Sequence, residues 1–269
     1  MARIDTQGKT GLSMTRNELL LTDCNPRELE ERGIDTAILP IGATEYHGNH
    51  LPYGTDSIMA EGLSLRLAAE MGHTVVLPPL AYGMSLHLLA WPWSLSLRPD
   101  TLQTVIIDIA ESLLAHGITR LLVVSTHDGN PAPIENAARE LNDRHGMTVA
   151  MVRGWQETAA RLLSSPWAID EDHGGRSEMS VVLALRPELA RQAEAIDVPN
   201  QRADEPLRVF GSFDRVVPHG YSGKPSEGSA AEGEAVLDAL AAHWGPFLRQ
   251  LNAEGWQNGS WMSGIIRDE

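Results

Sequence analysis

A single cysteine in 269 residues, Cys24, excludes an intrachain disulfide and any zinc cluster built on thiolates. No nucleophile-activating context surrounds it, so Cys24 is expected to be a buried small hydrophobe. Basic charge is also scarce. Lys and Arg number 21 against 36 Asp and Glu, giving a formal charge of −15 and a pI near 5.0. A nucleic-acid binder needs a basic footprint to displace counterions from phosphates, so that class is excluded. Long apolar runs are missing too: no stretch approaches the about 18 residues of a membrane span, and "MARIDTQGKTGLSMTRNELLLTD" has no apolar signal core. What remains is a cytoplasmic protein acting on small molecules. With 42% hydrophobic residues, residues 1–269 can fill one α/β domain.

What the chain does have is alternation. Short apolar, β-branched runs take turns with helical patterns, which is the signature of a three-layer α/β/α fold with a mostly parallel sheet. Strands are expected in "TAILPIG", "TVVLPPL", "RLLVVS" and "MTVAMVRG", with helices in "SIMAEGLSLRLAAEMG", "PDTLQTVIIDIAESLLAHG" and "APIENAARELNDRHG" between them. In the second half, "SEMSVVLALRPELA" reads as a helix closed by Arg186-Pro187. The stretch "AAEGEAVLDALAAHWGPFLRQLNAEG" reads as a long helix that Gly233 or Gly245-Pro246 can split. The Pro- and Gly-rich stretch 197–229 reads as an extended loop or short hairpin, a length usually kept for function or a subunit contact.

Three clusters of His and carboxylate residues fall at strand-to-helix transitions. "GATEYHGNHLPYGTDS" carries Glu45, His47 and Asp56 after the first strand, "STHDGN" carries His127 after the third, and "DEDHGGRSEMS" carries Asp170, Asp172, His173 and Glu178 at a helix start. Open parallel sheets place ligand sites at the carboxyl ends of strands. Each cluster alone has an ordinary explanation. Glu45 and His47 can be solvated, Asp56 or Ser57 can cap a helix, His127 can be a satisfied histidine, and acidic residues at a helix start complement its dipole. Those explanations do not account for three such pairings in one chain, and mixed His and carboxylate ligands suit Zn²⁺ or Mn²⁺.

The segment "LPIGATEYHGNHLPYGTD" resembles the signature of the creatininase family. "STHDGN" resembles that family's Asn-Gly-His-Gly-Gly-Asn segment, and "DHGGRSEMSVVLALRPELA" its His-Ala-Gly-x-x-Glu-Thr-Ser segment. "HLLAWPWSLSLRPDTL" fits the stretch between the first two, so the resemblance runs in order over residues 36–190. It implies a hydrolase with two divalent ions, Zn, Mn or Fe. One ion would sit on Glu45, Asp56 and His127, and the other on His47 and the shared Asp56. In the creatinine-cleaving members a glutamate two residues after the motif histidine completes the second site; here Gly129 stands there, and Glu178 is the expected substitute.

The resemblance further implies that a metal-bridged hydroxide attacks an amide or lactam carbonyl. His173, oriented by Asp172, would protonate the leaving nitrogen; a purely structural His173 is the alternative. His87, Trp93, Asp128 and Asp170 are expected on the substrate side. Trp91 and Trp93 alternate along a segment read as extended and would face the same way, as an apolar wall or as ordinary packing. His50 belongs to the signature but has no chemical role beyond packing or bonding to a ligand. Asp128 replaces a glycine, Ser125-Thr126 replaces Asn-Gly, His173-Gly174-Gly175-Arg176 replaces His-Ala-Gly-Glu, and Ile169-Asp170 replaces the tryptophans that close over creatinine. Creatinine is therefore not the expected substrate; a cyclic amide or formamide is. A lactone or cyclic keto-sugar, and a binding protein without catalysis, are the alternatives. Family members commonly form homo-oligomers, often hexamers.

Overall fold

The computed structural model describes residues 16–165, 173–199 and 213–256. The first fifteen residues, and with them most of the N-terminal stretch considered above, lie outside the described residues. Strands β1 (Thr36–Ile41), β2 (Thr74–Val76), β3 (Arg120–Ser125) and β4 (Thr148–Val152) form one parallel sheet in the order β2-β1-β3-β4. Two short helices, α1 (Arg16–Leu19) and α2 (Pro26–Arg32), precede β1. Helix α3 (Thr55–Met71) links β1 to β2, α4 (Pro99–Leu114) links β2 to β3, and α5 (Pro131–His145) links β3 to β4. Beyond β4 come α6 (Trp155–Leu163), α7 (Arg176–Leu185), α8 (Phe213–Val216) and α9 (Ala230–Ala253). No helix among the described residues is long and apolar enough to cross a membrane.

Both faces of the sheet are covered, as the run of fully buried residues in β1 requires. Ile38, Leu122 and Val124 point into one core with Met59, Leu63, Trp155, Val181 and Leu240 from α3, α6, α7 and α9. Ala37, Leu39, Leu121 and Val123 point into the other with Leu102, Ile106 and Ile134 from α4 and α5. The chain leaves β1 toward β2 on one side and returns to β3 on the other. The carboxyl ends of β1 and β3 therefore flank the topological switch point, where such sheets open a crevice.

Several expectations are corrected. Strand β2 stops at Val76, because Pro78 and Pro79 have no N–H to extend a ladder. Pro40 is tolerated in central β1 because its carbonyl, and hence its missing N–H, faces the β2 side beyond Val76, where Leu80 N–H reaches that carbonyl at 2.9 Å. Helix α9 is not split. It runs through Pro246, and Gly233 lets it approach α7 so closely that a Cβ there would lie 1.9 Å from the Ser180 carbonyl oxygen. Helix α6 was not expected; it starts after Gly154, whose φ of 61° turns the chain out of β4. Cys24 is half-buried, with Arg32 Nη1 3.5 Å from its sulfur. At the ends of the loop-like stretch, Val198 and Gly223 pair through two backbone hydrogen bonds of 2.9 and 2.6 Å.

Candidate metal centre

Residues from three separate segments meet at the switch point. Glu45 and His47 follow β1, Asp56 lies in the first turn of α3, His127 follows β3, and Glu178 lies in the first turn of α7. All five are buried. The helix-cap explanation for Asp56 fails. Gly54 is the cap of α3, no side chain caps that end, and Asp56 points into the cluster, with its Oδ1 3.5 Å from His47 Nε2.

The register Ile41↔Ser125 sets the two strand ends side by side. Asn130 then ties their loops together: its Nδ2 donates to the Gly42 carbonyl and Ser125 Oγ, and its Oδ1 accepts from Met84 N–H. Thr126 Oγ1 donates to the Asp56 carbonyl at 2.8 Å, which binds the β3 end to the start of α3.

Each of three imidazoles spends one nitrogen on a backbone carbonyl and turns the other inward. His47 Nδ1 lies 3.0 Å from the Glu45 carbonyl, His127 Nε2 lies 3.1 Å from that of Met84, and His173 Nε2 lies 2.7 Å from that of Tyr46. A carbonyl only accepts, so these nitrogens carry the protons. The inward nitrogens face carboxylates. His47 Nε2 is 3.6 Å from Glu178 Oε2 and 3.9 Å from Glu45 Oε1; His127 Nδ1 is 3.0 Å from Glu45 Oε1 and 3.7 Å from Asp56 Oδ2; His173 Nδ1 is 3.7 Å from Glu45 Oε1. Fixing the tautomer through the outer nitrogen is how proteins present histidines to metals.

The cluster leaves buried polar atoms without partners and holds its carboxylates at unusual acidities. Both Glu45 oxygens, His47 Nε2 and Asp56 Oδ2 are buried with no hydrogen-bond partner. Burial, with the Glu45 charge beside it, pushes Asp56 up to about 8. Burial likewise raises Glu178 to about 7, against the pull of His47 and His173. On Glu45 the same burial is overcome by His127, His173 and His47, which hold it below the usual carboxylate range. Burial would lower His127, but Glu45 and Asp56 reverse this and raise it to about 10. Protons thus occupy positions that a divalent ion would take with its own charge. The donor set also fits: Glu45, Asp56 and His127 offer ligand atoms within 4.8 Å of one another, as do His47, Asp56 and Glu178, and so do Glu45, His47 and His173.

The remaining expected residues are spread more widely. Asp170 and Asp172 lie outside the described residues. Asp128 is exposed, and its charge reaches Asp56. His87 stacks on His127, with centroids 5.9 Å apart and planes 7° from parallel. Trp91 and Trp93 do not share an extended strand: the chain turns there, with Trp91 N–H on the Leu88 carbonyl, and Trp93 sits at φ 61°, 79% exposed. Trp91 instead stacks on Tyr46. Gly129 has no room for a side chain, since a Cβ would lie 2.0 Å from the Met84 carbonyl oxygen and 2.4 Å from His127 Nε2. The segment carrying Met84 and Ser85 was not expected at the site. Ser85 is fully buried, with its Oγ 3.4 Å from His127 Nε2; within "YGMSLH" only His87 signals the site, and nothing marks Met84 or Ser85.

Comparison with known proteins identifies the family. The family model described as Creatininase, creatinine amidohydrolase, matches residues 22–248. A mycofactocin precursor peptide peptidase of Mycobacterium ulcerans is 28% identical over 227 residues, covering 78% of this chain and 85% of the relative. A creatinine amidohydrolase of Pseudomonas putida is 30% identical over 179 residues, covering 60% and 68% respectively. A solved structure named creatininase Mn superposes with a TM-score of 0.73 at 26% identity, covering 86% of this chain and 98% of its own. The family model spans most of the chain and the fold superposes on a solved creatininase: this chain belongs to the creatininase family of hydrolases.

Proposed function

We propose that this protein is a metal-dependent amidohydrolase that holds two divalent ions, Zn, Mn or Fe, on a shared carboxylate. One observation carries the reading: Asp56 belongs both to the group with Glu45 and His127 and to the group with His47 and Glu178. When bound, such a pair of ions lowers the pKa of water and polarises the carbonyl under attack. The chain itself orients the ligands through the Glu45 and Met84 carbonyls and supplies the proton.

His173 is the proton donor in this reading. Its side chain is 13% exposed, against at most 5% for the five candidate ligands, so it stands on the open side of the cluster. Its Nε2–H is committed to the Tyr46 carbonyl, and Nδ1 is the nitrogen that faces the reaction. Nδ1 carries no proton in that tautomer, so it would first take the proton released by the attacking water and then pass it to the leaving nitrogen. A second reading rests on the Glu45, His47 and His173 group, which makes His173 a ligand instead. Metal content of His173→Ala separates the two: unchanged for a proton donor, reduced for a ligand.

The substrate is an amide C–N bond, with a cyclic amide or formamide preferred and creatinine disfavoured by Ile169 and Asp170. The peptidase name of one relative adds a short peptide to the candidates. The test is to strip the protein of metal, reload it with Mn²⁺ or Zn²⁺, and assay a cyclic amide, a formamide, a short peptide and a lactone. Metal-dependent cleavage of any amide supports the reading. Cleavage of the lactone alone moves it to ester chemistry, and no cleavage by the loaded protein overturns it in favour of a binding role. Assembly as a homo-oligomer belongs to the same reading; exposed Leu86, Leu89 and Trp93 offer apolar surface to bury, which light scattering would test.

A further inference from the structure

His50 is buried to 0% exposure, yet it belongs to none of the groups able to hold an ion. Its Nε2 lies 2.7 Å from the Gly174 carbonyl oxygen, so Nε2 carries the proton and donates it there. Gly174 in turn gives its N–H to Glu178 Oε2, also at 2.7 Å, and directly follows His173. Gly174 has no side chain of its own with which to anchor this turn, and none would fit. Its φ is 66°, and a Cβ would lie 2.8 Å from Tyr221 Cβ and 3.2 Å from the His47 carbonyl oxygen.

The His50 ring is itself well fixed. Gly48, at φ 79°, leaves the space it fills, since a Cβ there would come within 2.5 Å of the ring. Tyr221 packs edge-on at 4.8 Å between centroids, and Arg191 N–H holds the His50 carbonyl at 2.9 Å. The ring therefore clips the loop after β1 to the turn before α7. Residues 173–175 lead into α7, whose first turn carries Glu178, and Ser222 N–H holds the His173 carbonyl at 2.9 Å.

We propose that His50 is a positioning residue: through its Nε2–H on the Gly174 carbonyl it sets the turn that aims Glu178 at His47 and Asp56. The inference rests on the two-ion reading above. It differs from general packing in one respect, because only a donor placed where Nε2 stands can do the work. A glutamine at this position brings its amide N–H close to the Nε2 place, an asparagine brings its own close to the Nδ1 place, and a leucine fills space without donating.

The experiment is Mn²⁺ titration of the metal-free full-length chain by calorimetry for wild type, His50→Leu, His50→Asn and His50→Gln, with thermal midpoints of each metal-free protein. Wild type is expected to take two equivalents. His50→Leu and His50→Asn should keep the first and bind the second about 10- to 100-fold more weakly, as loss of a ligand-orienting group does. His50→Gln should recover most of that loss. If His50→Leu does not fold, the Asn and Gln pair carries the same contrast. Wild-type affinities in His50→Asn, or equal weakening of both equivalents with no rescue by Gln and a lowered metal-free midpoint, would overturn the proposal. A wild type that takes no metal would instead overturn the two-ion reading on which it rests.

Discussion

The two halves of the cluster share Asp56 but are held in different ways. Glu45 and His127 stand at the ends of neighbouring strands, locked by the β1–β3 register and by the Asn130 and Thr126 bonds between their loops. Glu178 arrives on α7, after a stretch that lies outside the described residues, and reaches the cluster through a glycine turn clipped by His50. Glu45 and His127 are set by the sheet, whereas Glu178 depends on a few hydrogen bonds. In general terms, ligands on strand ends are preorganised by the fold itself, while a ligand on a separate helix needs a dedicated support.

On that contrast, Glu178→Gln should produce the largest asymmetric effect. It should cost the second equivalent of metal and most of the activity while leaving the first equivalent in place, as measured by elemental analysis. Loss of both equivalents would erase the distinction. His173→Ala comes next, with amide hydrolysis falling by roughly 10² to 10⁴ at unchanged metal content, the range for a general acid. A lactone should suffer less, because an oxygen leaving group needs less protonation; steady-state kinetics on both substrates checks this.

Smaller effects sharpen the comparison. Asn130→Ala should destabilise the protein by about 1–3 kcal/mol, because buried groups such as the Gly42 carbonyl and Met84 N–H lose their partner. Urea unfolding of the metal-free protein measures this, and a neutral result would mean that the sheet register alone locks the first half. The pH dependence follows from protons held more tightly in the folded state. Asp56 rises from 3.8 to about 8 and Glu178 from 4.5 to about 7. These two groups therefore contribute stability to the metal-free protein that is full below about pH 4 and is lost as pH rises through about 7 and 8. Metal uptake displaces those protons, so more should be released at pH 6 than at pH 9. Calorimetry in two buffers of different ionisation enthalpy reads the difference, and equal release at both pH values would contradict it.

Much of this was legible in the sequence where a local pattern decides the outcome. The apolar runs of β1 and β3 and the helices after them sit within a few residues of their expected places, and the ligand segments follow those strands. Patterns failed where long-range packing decided. Nothing local says that α9 continues through Pro246, because its contact with α7 at Gly233 and Ser180 spans distant residues. Trp91 and Trp93 looked alternating, yet the chain turns at Trp93. That His50 bonds to Gly174, 124 residues away, and that Met84 and Ser85 wall His127 are likewise facts of assembly. The glycine at 129 was visible, but only the Met84 carbonyl beside it shows why no ligand can stand there.

The most direct measurement of the central claim is the metal content of the purified protein, after reconstitution with Mn²⁺ or Zn²⁺, for wild type beside Asp56→Ala. Two equivalents per chain in the wild type, with both lost in the variant, are predicted, because Asp56 is the one carboxylate common to the two halves. One equivalent in the wild type, or two retained in Asp56→Ala, would contradict a pair of ions built on a shared carboxylate.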